Sequence, residues 1–524
     1  MFQARWLLKK PARRSSARLI AYSALALTAT LMSILVALDA SAQSIAPRGV
    51  GIASGKIGAK AFSVSKAPAV RRPVPSAIGK PAGVRGTDAK IPRRPGRIVV
   101  TRIPPVSVVP PVIGSVGGAG SPPGPGAGPQ ALSRPGSGVP AVTERDYLPD
   151  EVVIELAANT ADQTAEALAR RFRLTQVESF DIQATGTKLF RARISGGRPV
   201  PAVVRAIEGD RSVISVSPNY IMRLYGEVPV AAGGPPLEQY ALAKLQLPQA
   251  HVLARGGDVL IAIIDGGVDV SHPELKGVIA DTFDAVRGGE KAHPHGTAVA
   301  GAIAAQARLK GAAPAARILA AQAFDRGHDR TEGNGFNVAK AIYWAIDRGA
   351  RIINMSFAGP RDPNIEQSLR YARQRGVVLV AAAGNKGPLS APLFPAANPN
   401  VIAVTATDVN DKVFQAANRG RHIAVAAPGV ELFLPALDGT YQEISGTSFA
   451  AAEVSGTIAL LIERKRDLTH DDVRRILMST ARDLGPPGFD AHFGAGLVDA
   501  YRAVLSIGPA VAGSPTTGSA AEKF

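Results

Sequence analysis

Between Glu238 and Ile507, short unbroken apolar runs alternate with longer runs of helical period, and this alternation narrows the fold more than any other feature of the chain. Val259–Ile264 is apolar at every position, as a parallel strand covered on both faces must be. A helix through Val299–Ala305, a strand at Arg317–Ala323, a helix at Val338–Arg348 and a strand at Ile352–Met355 follow. The series continues with a helix at Ile365–Arg375 and strands at Val377–Ala382 and Val401–Val404, and helices Ala450–Arg464 and Asp471–Thr480 close it. The order predicts an α/β domain over 238–507 with a mainly parallel sheet, whose ligands sit beyond the carboxyl ends of the strands.

The rest of the chain is of different kinds. Residues 1–42 carry six basic side chains, an apolar run from Leu19 to Leu38 and the small-residue pattern Ala40-Ser41-Ala42, the layout of an export signal. A cleaved leader and an uncleaved anchor at 19–38 both fit it. Residues 43–145 are a basic Pro/Gly/Ala-rich stretch, as in SPPGPGAGPQ from Ser121, and read as a disordered tether. Composition turns globular at about Asp146. Strand Glu151–Leu156, helix Ala161–Phe172, strands Gln176–Ile182 and Thr187–Ile194, helix Val200–Gly209 and strand Val213–Leu224, with a Ser-Pro turn inside the last, make a ferredoxin-like α+β unit over 146–225. Residues 226–237 read as an exposed linker and 508–524 as a disordered tail.

The formal net charge of +18 suggests a polyanion partner until it is located. Six basic residues against Asp39 lie in 1–42, and fourteen, from Arg48 to Arg134, against Asp88 lie in 43–143, so the remainder is neutral. The folded part has no net basicity to draw it to nucleic acid, and the basic stretch reads as a solvated spacer, with contact between its cations and an anionic membrane or cell-wall polymer as the alternative. The chain has no cysteine, which excludes disulfides, thiol chemistry and cysteine-based zinc sites.

Reactive residue types stand at the element boundaries. Asp265 ends the first strand and is followed by Gly266-Gly267, which allow a sharp turn. His295 opens the helix of HGTAVAG, and Ser448 opens the last long apolar helix within GTSFAAAEVSG. A buried carboxylate can hold one imidazole nitrogen while the other takes a proton from a serine that attacks a carbonyl. Asn385, in AAAGNKG, supplies a neutral donor for the oxyanion, together with the Ser448 backbone N–H. Of the eight histidines, His272, His293, His328 and His422 lie in turn-like contexts, and His293 is the nearest rival to His295.

These stretches resemble the subtilisin-like serine proteases, the subtilases. VLIAIIDGGVDVSHPEL (Val259–Leu275), HGTAVAG, AIYWAIDRGARIINMSFAGP (Ala341–Pro360), AAAGNKG, FPAANPNVIAV (Phe394–Val404), VAAPGVEL (Val425–Leu432), GTSFAAAEVSG and GAGLVDAYRAV (Gly494–Val504) stand in the family's order, Asp then His then Ser. The resemblance implies a three-layer α/β/α serine endopeptidase acting through an acyl-enzyme. It implies Asp265, His295 and Ser448 as the triad, Asn385 as oxyanion donor, and Ser356, Phe357, Ala358 and Gly359 along the substrate strand. It further implies that 146–225 is an inhibitory propeptide removed within Tyr225–Leu237, and that the substrates are polypeptides. The protein is read as a monomer without an obligatory cofactor; calcium is common in the family, but no stretch here has a ligand spacing that assigns a site.

The sequence departs from the family pattern at Gly266, where Thr or Ser is usual, and at Ala452-Glu453, where Pro-His is usual. The lost proline is expected to change the first turn of the helix. These departures and the basic tether motivate a second reading, an inactive or self-capped fold serving as an envelope-associated binding module. A lipase-type elbow is excluded, because Gly-x-Ser-x-Gly needs glycine where Ala450 stands.

Overall fold

The computed structural model describes residues 137–160, 162–183, 185–225, 239–288, 292–326 and 331–508. The leader 1–42, nearly all of the 43–145 stretch, the 226–237 linker, His328 and the tail from residue 509 lie outside the described residues.

The N-terminal unit runs β1 (Tyr147–Ala157), α1 (Asp162–Arg171), β2 (Leu174–Ile182), β3 (Thr187–Ile194), α2 (Val200–Glu208) and β4 (Val213–Leu224). Its sheet is antiparallel in the order β2-β3-β1-β4. One sheet face buries Val152, Ile154 and Leu156 against Val203, Val204 and Ile207 of α2. The turn expected at Ser217-Pro218 does not form: β4 runs straight through, and Pro218 pairs with Val152 beside a register shift in the ladder. Proline is tolerated in a strand where regular pairing is interrupted.

The larger unit holds seven parallel strands in the order β14-β13-β12-β10-β5-β7-β6. They are β5 (Leu260–Asp265), β6 (Ile279–Asp284), β7 (Arg317–Gln322), β10 (Ile352–Met355), β12 (Val378–Ala382), β13 (Ile402–Thr407) and β14 (Ile423–Pro428). Successive strand residues face opposite sides. Ile261, Ile263, Val378, Val380, Ile402 and Val404 therefore pack on one side, with α3 (Pro294–Ala304) and α6 (Thr447–Arg464). Ala262, Ile264, Ile353, Met355, Leu379 and Ala381 pack on the other, with α4 (Gly335–Asp347) and α5 (Pro363–Gln374). This is a three-layer α/β/α domain. Every residue of α6 from Thr447 to Ile462 is buried, so Ser448 belongs to a central, rigid element.

Three short strands complete the cleft: β8 (Phe324–Arg326), β9 (Thr331–Asn334) and β11 (Phe357–Ala358). The end of β4 lies between β9 and β11, antiparallel to both, with Arg223 opposite Glu332 on one side and Ala358 on the other. The two units are joined elsewhere by polar contacts. Glu178 of β2 pairs with the buried Lys340 of α4, Gln367 of α5 donates to Glu155 at 2.7 Å, and Asn364 of α5 donates to Ser217 at 2.8 Å. Among the described residues no helix is long and apolar enough to cross a membrane.

Candidate active site

Asp265 ends β5 at the carboxyl edge of the sheet and is 1% exposed. Its Oδ1 accepts from the Gly266 backbone N–H at 2.7 Å. Gly267 has φ +96°, a conformation costly for any residue with a Cβ, so the sharp turn rests on this second glycine. The backbone of α3 starts at Pro294, which puts His295 in its first turn. His295 Nδ1 donates to Asp265 at 2.9 Å from either oxygen. That bond assigns a proton to Nδ1, while Nε2 is buried and without a hydrogen-bond partner. His293, the rival, is occupied otherwise: it caps α3, its Nδ1 accepting from the His295 N–H at 3.1 Å and its Nε2 lying 3.0 Å from Thr331 Oγ1.

Ser448 follows Thr447 in the first turn of α6, and the ring of Phe449 lies 5.4 Å from that of His295. The Ser448 hydroxyl donates to the Ser356 carbonyl at 3.2 Å rather than to His295. A hydroxyl held off its base is compatible with a nucleophile, because catalytic hydrogen bonds can tighten only as the transition state forms. A buried polar chain fixes this end of the helix: Ser356 Oγ donates to the Ser448 carbonyl at 3.0 Å, Asn354 to Ser356 Oγ at 2.8 Å, and Ser455 to Asn354 Oδ1 at 3.0 Å.

Asn385 follows β12. Its Oδ1 accepts from Thr447 Oγ1 at 2.7 Å and from the Thr447 N–H at 3.2 Å, so its Nδ2 is turned into the cleft. There it donates at 2.7 Å to the carbonyl of Tyr225, the residue after β4. The same carbonyl oxygen lies 3.5 Å from Ser448 Oγ.

Of the four residues expected along the substrate strand, Phe357 and Ala358 pair with Leu224 and Arg223. Gly359 makes room for Met222, whose Sδ would lie 2.4 Å from a Cβ placed there. Ser356 braces Ser448 instead of lying in the ladder. Sequence reasoning missed Thr447, Asn354 and Ser455 as positioning residues. Thr447 stands within GTS and could have been found, whereas nothing local marks the other two. Gly266 stands against Leu224, whose Cδ1 would lie 3.4 Å from a Cβ there.

Ala452 and Glu453 fall beyond the first turn of α6, so the missing proline bears on the helix interior and not on its start. Glu453 is buried, its Oε2 has no hydrogen-bond partner, and burial pushes its carboxyl up to about 8. An acid that keeps its proton in the folded chain and loses it in the unfolded one contributes stability that is complete below the ordinary carboxylate range. That contribution fades as the pH rises towards the folded value. Urea unfolding should therefore show stability falling by on the order of 1 kcal/mol per pH unit between about pH 5 and 8. Glu453→Gln should flatten this slope, and equal slopes in both proteins would refute the burial argument.

Among the described residues, no group of three or more His, Cys, Asp or Glu is placed to hold a metal ion.

The Subtilase family profile matches residues 256–496. Thermitase from Thermoactinomyces vulgaris is 36% identical over 274 residues, which are 51% of this chain and 95% of thermitase. Subtilisin E from Bacillus subtilis (strain 168) is 32% identical over 320 residues, 57% of this chain and 77% of that protein. Among solved structures, fervidolysin from Fervidobacterium pennivorans, described as a keratinolytic enzyme related to subtilisin, matches with a TM-score of 0.60. The match covers 71% of this chain and 63% of fervidolysin at 24% identity, and bears on the fold alone.

Proposed function

The chain belongs to the subtilase family and is a serine endopeptidase, and from that premise we propose that its first substrate is its own Tyr225–Gly226 peptide bond. One observation carries the proposal. The Tyr225 carbonyl is delivered by an antiparallel strand to a point 2.7 Å from the Asn385 amide and 3.5 Å from the Ser448 hydroxyl.

The steps follow from that placement. Ser448 turns from the Ser356 carbonyl, gives its proton to His295 Nε2, and its Oγ bonds to the Tyr225 carbonyl carbon. The oxygen becomes an anion held by Asn385 Nδ2 and the Ser448 N–H, while Asp265 stabilises the imidazolium. The C–N bond to Gly226 then breaks as His295 passes its proton to the departing nitrogen. Water, deprotonated by the same imidazole, hydrolyses the acyl ester and frees Ser448. On this reading residues 146–225 are an inhibitory propeptide, β4 is a substrate strand seated before cleavage, and other polypeptides follow it into the cleft once it leaves. Residues 1–42 direct export, and 43–145 tether the uncut chain at the envelope.

Mass spectrometry of the expressed chain tests this directly. The catalytic fragment should begin at Gly226, and the released piece at Gln43 if the leader is removed. A start elsewhere within 226–237 would displace the cut, and an intact chain would refute self-processing. A plug that stays in place after the cut would make the protein a self-capped binding module instead, and casein turnover by the processed protein separates the two.

A further inference from the structure

We propose that Glu332, on the wall of the cleft, selects a basic residue at the third position before the bond to be cut. The inference rests on the reading of β4 as a seated substrate strand, whose last residues are Met222, Arg223, Leu224 and Tyr225.

Their side chains meet different surroundings. Met222 is buried in the same apolar cluster as Phe324, Phe336 and Phe357. Leu224 reaches towards Gly266, and the Tyr225 ring lies under Lys386, whose Nζ is 5.6 Å from its centroid. Arg223 alternates to the other face, as a strand requires. Directly opposite it in the β4–β9 ladder stands Glu332, and Arg223 Nε donates to Glu332 Oε1 at 2.9 Å. Its Nη1 lies 3.0 Å from Asp146 Oδ1, and the arginine side chain is only 14% exposed.

The two acids have different fates. Asp146 belongs to the N-terminal unit and leaves with it, whereas Glu332 belongs to β9 and stays. Any later polypeptide lying on β9 and β11 in this register presents its third residue to Glu332. Among the described residues Arg223 is the cation with which Glu332 pairs. Directly opposed opposite charges stabilise a strand pair, like charges oppose it, and a charge-assisted bond at a partly desolvated site is stronger than one in open water. The substrate class is therefore polypeptides with Arg or Lys at that place, ahead of an apolar and then an aromatic residue.

The test uses the full chain, expressed and left to process itself, with tetrapeptide p-nitroanilides of sequence Met-Arg-Leu-Tyr and the same peptide with Gln or Glu for Arg. We expect kcat/KM to fall about tenfold from Arg to Gln and further for Glu. Glu332→Gln should remove the difference between the Arg and Gln peptides, and Glu332→Arg should invert the order of Arg and Glu. A merely structural role for Glu332 would slow all three peptides alike, and equal rates in the unaltered protein overturn the inference while leaving proteolysis intact. A second measurement needs no turnover. In the uncut Ser448→Ala chain, adding Glu332→Gln should speed hydrogen exchange at the end of β4 about tenfold. Unchanged exchange overturns the pairing even if no peptide is cut, and absence of cleavage by itself would refute the proteolytic reading.

Discussion

Ser448→Ala leaves a single uncut chain. The substitution removes the one oxygen placed to attack Tyr225 and nothing that holds the fold, because the hydroxyl's resting bond is to the Ser356 carbonyl. The helix start stays tied through its own carbonyl, Ser356, Asn354 and Ser455. Turnover should fall by a factor on the order of 10⁶, the scale measured for loss of the nucleophile in a subtilisin. The readout is the mass of the purified protein after prolonged incubation, together with labelling by a serine-directed fluorophosphonate. The unaltered chain should yield a fragment starting at Gly226 and take the label at Ser448, and the variant should do neither. A variant that still matures when expressed alone would show that another protease makes the cut.

Asn385→Ala should be slower without being inert. Here the nucleophile and its base are untouched, while the donor 2.7 Å from the Tyr225 oxygen is gone. A neutral donor aimed at an oxygen that gains charge stabilises the transition state more than the ground state. Its removal should cost about 10²–10³ in turnover, the size measured for a side-chain donor of this kind in a subtilisin. Pulse–chase of the full chain would follow the half-time of processing, with the new N-terminus still at Gly226. Thr447→Val offers a check on the mechanism, because Thr447 holds Asn385 Oδ1 at 2.7 Å and so aims the amide. It should lower the rate in the same direction by a smaller factor. Processing of Asn385→Ala at the unaltered rate would remove the oxyanion role.

Much of the architecture was legible from local pattern. A strand buried on both faces must be apolar along its covered length, and LIAII, ahead of Asp265, and VLVAA are. Asp265 lies where an apolar run gives way to glycines and Ser448 where a small-residue turn opens an apolar helix, so their places at element ends could be read from local pattern. Other elements left weaker marks. The two-residue strand β11 and the short β8 and β9 are too brief for a period to show, and distant pairing defines them: β9 and β11 pair with β4, and β8 pairs with β9. The turn expected at Ser217-Pro218 failed for a related reason. A proline's missing N–H breaks a strand only where a partner needs it, and pairing elsewhere in the chain decides that.

The site divides in the same way. Residue type and position in the local pattern chose His295 over its neighbours, but the geometry separates it from His293, since one ring reaches Asp265 and the other Thr331. Burial of the Glu453 carboxyl and the Asn354–Ser356–Ser455 chain had no local signature at all.

By itself the amino-acid order determined the α/β alternation, the acid, imidazole, alcohol and amide on offer, and their places at element ends, because burial and turn chemistry act over a few neighbouring residues. Only the tertiary structure decided what lies against them: that Tyr225 presents its carbonyl to Asn385 and Ser448, and that Arg223 meets Glu332. Those partners are more than a hundred residues apart in the chain, and a contact of that kind is a property of how whole units pack, which no short window of sequence encodes.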